Sequence, residues 1–145
     1  RALLDQADFV PTLLDVCGIA PAPRSQAWDG TSAGAVLADP SCAGKAAAFG
    51  EFALTRRPFY MRRERRWKYI YYTGPAGEAD PSDSSDPAPL EALYDPAADP
   101  GELTNLAADP AAAPLVAEQR ERLLAFLRQQ GVSDPAHPPL ASPLV

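Results

Sequence analysis

The chain has 145 residues, with 13 Lys and Arg against 19 Asp and Glu, so its formal net charge is −6. It contains 28 alanines and 17 prolines, and this proline share is more than twice the roughly 5% of ordinary domains. No stretch approaches the roughly 20 apolar residues of a membrane helix. The acidic background argues against nucleic-acid binding over the whole surface, although seven of the thirteen bases lie between Arg56 and Lys68.

A short amphipathic helix is predicted near the start of the chain. Asp8 is expected to be its N-cap, residues 9–17 its body, and Gly18 the residue that ends it. Pro11 falls in the first turn, where a missing N–H has no cost. Because the apolar residues recur at helical spacing, Cys17 is expected to be a small core residue rather than a reactive thiol.

The middle of the chain favours strands. After a proline-rich connector, Ser32 is expected to cap a short helix that ends at Leu37. Aromatic enrichment without internal glycine then predicts a hairpin with a polar turn at residues 63–66. The predicted strands of a small antiparallel sheet are 46–54, 58–62, 67–72 and 93–95.

A long helix is predicted to close the fold. Residues 74–89 are rich in Pro, Gly, Ser and Asp and are expected to form a surface loop. Asp109 is expected to cap a helix over 110–130, with Pro110 at its first position. Its apolar stripe should cover one face of the sheet, which makes the fold class α+β. The proline-rich residues 133–145 are expected to form a tail.

No self-sufficient active site is apparent in the sequence. Nucleophile-elbow, phosphate-loop, dinucleotide and zinc-protease motifs are all missing. Two cysteines cannot supply the four ligands of a zinc site. The acids at 80–86 suit a solvated loop better than a calcium site, and Glu51 and Glu102 are isolated carboxylates suited to strand-edge and helix-start positions.

The basic segment is the strongest electrostatic feature of the sequence. Its guanidinium groups could hold sulfate, phosphate or carboxylate through paired hydrogen bonds. Its interleaved aromatic residues would also suit stacked bases. The simplest interpretation is a two-stranded ribbon whose charged face protects an edge strand. All three interpretations stay open on the sequence alone.

Four blocks, taken in order, resemble the sulfatases of the alkaline-phosphatase-like superfamily. Residues 7–19 look like the family segment Val-Asp-x-x-Pro-Thr-Leu-Leu-x-x-x-Gly-Ile. Residues 28–32 are similar to its Asp-Gly-x-Ser-Leu step, with Ala33 in place of the leucine.

The other two blocks lie in the second half of the resemblance, which covers about residues 3–130. Glu51, Arg62 and residues 68–70 follow the family succession Glu…Arg…Lys-Tyr-Ile. Most specific are residues 93–106, which resemble Leu-Tyr-Asp-Leu…Asp-Pro-x-Glu-x-x-Asn-Leu followed by a closing helix.

The resemblance implies the carboxyl-terminal part of a sulfatase. Residues 1–45 would be the tail end of an α/β catalytic domain, including its last helix, and 46–132 the C-terminal subdomain. Sulfatases use calcium and a formylglycine made from a Cys/Ser-x-Pro-x-Arg motif, all upstream of the matched segments. Neither cysteine of this chain lies in such a motif. The resemblance therefore implies no catalytic residue and no metal ligand within this chain.

The resemblance also implies roles for individual side chains. The positions expected to be structural are Asp8, Pro11, Thr12, Tyr94, Asp95, Asp99, Glu102 and Asn105. The positions expected to lie near substrate are Glu51, Arg56, Arg57, Arg62 and Lys68. Arg56 and Arg57 are the best placed of these to steer an anionic ester.

The resemblance implies that the whole protein is a sulfuric ester hydrolase. This chain by itself would be inactive. Its partners would be the N-terminal catalytic domain and an anionic sulfate ester, with no membrane and no nucleic acid expected. One alternative keeps the fold but cleaves phosphonate or phosphate esters. Another is a noncatalytic module that binds anions or nucleic acid. The cellular compartment stays open.

Overall fold

The computed structural model describes residues 2–20, 29–52, 58–73 and 90–132. The chain divides into two compact units, residues 1–48 and residues 49–145. The predicted loop over 74–89 and the predicted tail over 133–145 lie outside the described residues. The assignment of 1–45 to a catalytic domain stays a prediction.

The first unit is built from two short helices. A 3-10 turn, Gln6–Asp8, leads into α1, Phe9–Val16. Gly18 follows α1 with φ of +65°, a left-handed conformation that glycine adopts without strain and that commonly ends a helix. The second helix, α2, spans Gly34–Ala38.

A four-stranded sheet dominates the second unit, with neighbouring strands in the order β1-β2-β3-β4. Its strands are β1 Ala47–Phe52, β2 Phe59–Glu64, β3 Lys68–Tyr72 and β4 Glu91–Tyr94. The boundary between the two units falls within β1. The antiparallel pairing of β2 with β3 and of β3 with β4 forms a meander.

The hairpin turn between β2 and β3 is tighter than the sequence predicts. Arg63 pairs with Lys68 in the ladder, and the Glu64 amide donates to the Trp67 carbonyl at 2.8 Å. Only Arg65 and Arg66 therefore lie between the paired residues. The prediction that the turn begins at Arg63 is wrong, because β2 continues through Glu64.

The long helix α3, Ala113–Gln129, packs on one face of the sheet. Residues 110–112 form a 3-10 turn before it, so α3 begins three residues later than predicted. The Asp109 carboxylate accepts from the Ala111 amide at 2.9 Å and caps that turn as expected. Sheet and helix together confirm the α+β prediction.

The core of the second unit lies between α3 and the sheet. Tyr69, Leu93 and Leu123 are each no more than 1% exposed. Phe49 of β1 stacks on Phe126 of α3 with ring centroids 3.5 Å apart. Full burial of one large apolar side chain contributes roughly 1.5–3 kcal/mol. This unit therefore holds a core of its own.

No helix within the described ranges is long and apolar enough to cross a membrane.

Candidate functional site

Asp8 is the most deeply buried acid in the described part of the first unit, at 1% exposure. Its carboxylate accepts from the Thr31 amide at 2.8 Å and the Asp5 amide at 3.1 Å, and lies 2.7 Å from the Lys45 ammonium. Burial acts to raise the pKa of Asp8, but Lys45 and the two amides outweigh it and hold that pKa below its ordinary value. Asp8 precedes α1 without capping it through its side chain. Asp8 is therefore the N-cap residue of α1 as predicted, but its carboxylate bonds to the distant Thr31 and Lys45 instead of capping the helix.

Thr12 forms a second connection between the same two segments. Its hydroxyl accepts from the Ala33 amide at 2.9 Å. The Ser32 hydroxyl donates to the Asp15 carboxylate and accepts from the Gly34 amide at 2.9 Å. The N-cap of α2 is Ala33 rather than the predicted Ser32, and the helix ends one residue later than predicted. The first two sequence blocks are therefore hydrogen-bonding partners of each other.

Gly30 explains the glycine in the second block. A Cβ atom at this position would lie 2.0 Å from the Ala7 carbonyl oxygen, a distance no real side chain tolerates. The backbone of the turn can approach the start of α1 so closely only because residue 30 has no side chain.

The apolar residues of α1 face away from this hydrogen-bonded cluster. Phe9, Leu13 and Val16 are 70%, 52% and 65% exposed, and Ile19 beyond the helix is also exposed. Cys17 is exposed as well, so the prediction that it is a core residue is wrong. We call these four apolar side chains and the neighbouring Val10 the α1 apolar face.

A shallow groove of about 480 Å³ borders α1. Pro11 lines this groove and is the third residue of the helix. The N–H that proline lacks has no cost there, because the first turn of a helix leaves its N–H groups unpaired. Leu14, Asp15, Ile19 and Ser32 complete most of its wall.

Asn105 closes the free edge of β4. Its side-chain oxygen accepts from the Leu93 amide at 3.0 Å and the Ala107 amide at 2.9 Å. Its side-chain NH2 donates to the Glu91 carbonyl at 3.1 Å. A single side chain thus replaces the neighbouring strand that this edge lacks, and it also caps the turn that follows.

Two aspartates hold the turn between β4 and Asn105. The Asp95 carboxylate accepts from the Ala97 and Ala98 amides at 3.1 and 3.3 Å. The Asp99 carboxylate accepts from the Thr104 amide at 2.8 Å. Asp95 also pairs with the Arg66 guanidinium at 2.9 Å, and this hydrogen bond is the main reason that the pKa of Asp95 is low.

Glu102 lies in the same turn in a left-handed conformation, with φ of +53°. A non-glycine residue in this region stores strain of about 1–3 kcal/mol, which the surrounding contacts must offset. Its carboxylate pairs with the Lys68 ammonium, which lies 6.0 Å from the centre of the Tyr94 ring. Glu102 is thus a partner for the hairpin rather than a helix-start residue.

Arg62 is buried beneath α3. It donates to Gln119 at 2.7 Å and pairs with Glu64 at 2.6 Å, and Glu64 pairs in turn with Arg122 at 2.8 Å. Burial acts to raise the pKa of Glu64, but these partners hold it below its ordinary value. This network attaches β2 to α3.

A matching network attaches β4 to α3. Arg120 makes two hydrogen bonds to Glu91, one of them at 2.6 Å, and the Tyr69 hydroxyl donates to the same carboxylate. Burial and the Glu91 charge together raise the pKa of Tyr69 far above its ordinary value. Sequence reasoning missed both networks, because the contacts that join separate elements in them connect residues 22 to 58 apart along the chain.

The substrate-proximal predictions do not converge on one described surface. Arg62 pairs with Tyr69 in the ladder and Lys68 pairs with Arg63, so Arg62 and Lys68 lie on opposite faces of the sheet. Glu51 is exposed on β1. Arg56 and Arg57 lie outside the described residues. A role near substrate stays a prediction for all five.

Calcium and formylglycine do not fit the residues that the structure describes. The carboxylates of Asp8, Asp95 and Asp99 are occupied by backbone amides and cations, and no three His, Cys, Asp or Glu residues within the described ranges are grouped to hold a metal. Cys17 and Cys42 are free thiols outside the modification motif.

Comparison with solved structures finds the same fold in sulfatases. A 2-O GAG sulfatase shares 29% identity with a TM-score of 0.60 over 86% of this chain and 24% of its own. A putative sulfatase from Bacteroides thetaiotaomicron VPI-5482 shares 28% identity with a TM-score of 0.65 over 94% of this chain and 27% of its own. The phosphonate monoester hydrolase of Agrobacterium radiobacter shares 27% identity with a TM-score of 0.56 over 84% and 24%. No protein-family model matches the chain, and neither does any curated protein.

The four-stranded sheet and the long helix therefore have the fold of one part of the sulfatase structures. The chain is similar to members of the sulfatase superfamily, and it spans about a quarter of the length of the three structures named. The resemblance stated from the sequence is confirmed.

Proposed function

We propose that this chain is the C-terminal portion of a sulfuric ester hydrolase, whose other portion supplies the formylglycine nucleophile and the calcium ion. The observation that carries the proposal is the likeness to two sulfatase structures at 28–29% identity over 86–94% of this chain. The interlocked motifs support it, because residues that resemble the family, such as Asp8, Thr12 and Asn105, make long-range hydrogen bonds.

The chain's own contribution is structural. The α1 apolar face is the surface on which the proposed catalytic portion packs, since its four helical members, Phe9, Val10, Leu13 and Val16, are all exposed. The cluster around Asp8 holds α1 in place for this contact. The acid and base chemistry of ester cleavage belongs to the other portion.

A second candidate reaction is the hydrolysis of phosphonate or phosphate esters. It is favoured by the 27% identity to the phosphonate monoester hydrolase. Both substrates carry a tetrahedral oxyanion, so the basic residues of this chain suit either one equally well.

The full-length gene product tests the proposal. It should contain a Cys-x-Pro-x-Arg or Ser-x-Pro-x-Arg motif, and after purification it should hydrolyse an aryl sulfate faster than an aryl phosphonate. The matched control replaces the Cys or Ser of that motif by Ala and should be inactive. Preference for the phosphonate would instead establish the second candidate. Absence of both the motif and all ester hydrolysis would refute the proposed function.

A further inference from the structure

Two cations of the hairpin differ from the others that the structure describes. Nine Lys and Arg side chains lie in the described ranges, and all but Arg63 and Arg65 pair with an acid. The seven paired cations are Lys45, Arg62, Arg66, Lys68, Arg120, Arg122 and Arg128. Since the chain is acidic overall, unpaired bases on one hairpin are not explained by a shortage of carboxylates.

Arg63 is the more unusual of the two. Its side chain is half-buried, and its Nη1 atom is inaccessible to solvent without any hydrogen-bond acceptor. Most buried polar groups are hydrogen-bonded, and leaving one unpaired is unfavourable. The Arg63 guanidinium therefore lacks the partner that its burial calls for.

The cross-strand neighbour of Arg63 is also positively charged, which adds to the unbalanced positive charge at this position. Arg63 and Lys68 are directly paired in the β2–β3 ladder and share one face of the sheet. Like charges in this relation destabilise a sheet. Within the described residues, the Glu102 carboxylate pairs with Lys68 and not with Arg63. An added anion beside the pair would offset this repulsion.

Arg65 extends the same positive region into the hairpin turn, where it is exposed. The next residue, Arg66, anchors the turn. Arg66 pairs with Asp95 at 2.9 Å and lies over the Trp67 ring at 4.4 Å. Because these contacts restrain the backbone of the turn, less conformational freedom is lost when Arg65 binds a ligand.

We propose that Arg63 and Arg65 bind a sulfate group of a sulfated saccharide. A guanidinium presents paired N–H donors that match the oxygens of such an oxyanion. The choice of a saccharide sulfate over another oxyanion rests on the proposed function. The two residues form an anion contact that is separate from the pairing of Arg62 and Lys68, both of which are bonded to the chain's own acids.

The test measures binding of a heparin-derived sulfated oligosaccharide to the full-length protein at low salt. Arg63→Gln with Arg65→Gln removes two positive charges from the hairpin. Arg122→Gln with Arg128→Gln is the matched control, because it removes two charges from exposed α3 positions. We expect Kd to rise about tenfold or more for the hairpin variant, on the scale of charge-assisted hydrogen bonds, and by less than about threefold for the control.

Three probes identify the ligand. The desulfated oligosaccharide and inorganic sulfate should both bind far more weakly than the sulfated oligosaccharide, and a single-stranded oligonucleotide should not displace it. Equal loss in the control variant, equal binding of the desulfated probe or of inorganic sulfate, or tighter binding of the oligonucleotide would each overturn the proposal. If the double variant melts at a lower temperature than the unaltered protein, Arg65→Gln alone replaces it. The proposal then requires that Arg65→Gln raise Kd more than Arg128→Gln does.

Ester hydrolysis by the same preparations separates this inference from the proposed function. Hydrolysis of an aryl sulfate with no effect of the hairpin variant on oligosaccharide binding contradicts the anion site alone. Selective loss of oligosaccharide binding in a protein that cleaves no ester contradicts the proposed function alone.

Discussion

The two units of this chain are stabilised in different ways. In the second unit, large apolar side chains such as Tyr69, Leu93 and Leu123 are buried between α3 and the sheet. In the described part of the first unit the deepest large side chain is the charged Asp8, whereas the apolar residues of α1 are exposed. One unit carries its own core, and the other is held by hydrogen bonds while it presents an apolar face. This difference is what the proposal of one portion of a larger hydrolase predicts.

The largest effect should come from the core of the second unit. Leu123→Ala removes a side chain that is 1% exposed and should destabilise the protein by about 2–5 kcal/mol, the range for cavity-forming core substitutions. Leu13→Ala, at an exposed position of α1, is the matched control and should change stability by about 0.5 kcal/mol or less in the 145-residue chain. Urea unfolding measures both. Equal losses would remove the contrast between the two units.

The next effect should come from the cluster around Asp8. Asp8→Ala leaves the Thr31 and Asp5 amides without their acceptor and should destabilise the first unit by about 2–4 kcal/mol. Hydrogen exchange should accelerate at the Thr31 amide and stay unchanged at the Leu93 amide in the second unit. Asp15→Ala, which removes an exposed partner of Ser32, is the control and should leave exchange at Thr31 slow. Fast exchange in both variants would contradict the role of Asp8.

Variants of Asn105 test how far hydrogen bonds also stabilise the second unit. Asn105→Asp keeps the oxygen that accepts from Leu93 but loses the NH2 group that donates to the Glu91 carbonyl. We expect about 1–2 kcal/mol of destabilisation for Asn105→Asp and more for Asn105→Ala, which loses all three hydrogen bonds. Thermal unfolding provides the measurement. The reverse order would show that edge closure does not depend on the donor.

The smallest expected effect is a dependence on pH. Asp8 has a folded-state pKa below its ordinary value of 3.8, so its contribution to stability is complete above about pH 5 and is lost as pH falls through its folded pKa. Unfolding free energy measured from pH 7 to pH 2.5 should fall in the acid range. The fall should be shallower in Asp8→Asn, which cannot titrate. Parallel curves for the two proteins would indicate that other carboxylates carry the whole effect.

The elements of the fold were largely predictable because they depend on local patterns. The aromatic runs around residues 59–72 predict a hairpin, and Gly18 predicts the end of α1. The hydrogen-bond networks were not predictable in this way. The partner of Asp8 lies 23 residues away and that of Arg62 lies 57 residues away, and no periodicity connects residues so distant.

The candidate anion contact shows the same limit. The sequence indicates a basic segment as a whole, but it does not show which cations the chain neutralises itself. Arg66 and Lys68 recruit Asp95 and Glu102 from a turn some 30 residues later. Only the folded arrangement distinguishes Arg63 and Arg65 from their neighbours.

Hydrolysis of an aryl sulfate, measured side by side for the full-length protein and for the 145-residue chain, tests the central claim most directly. We expect turnover by the full-length protein and a rate equal to that of buffer for the chain alone. Turnover by the 145-residue chain would contradict the account, because it would place the catalytic groups within this portion.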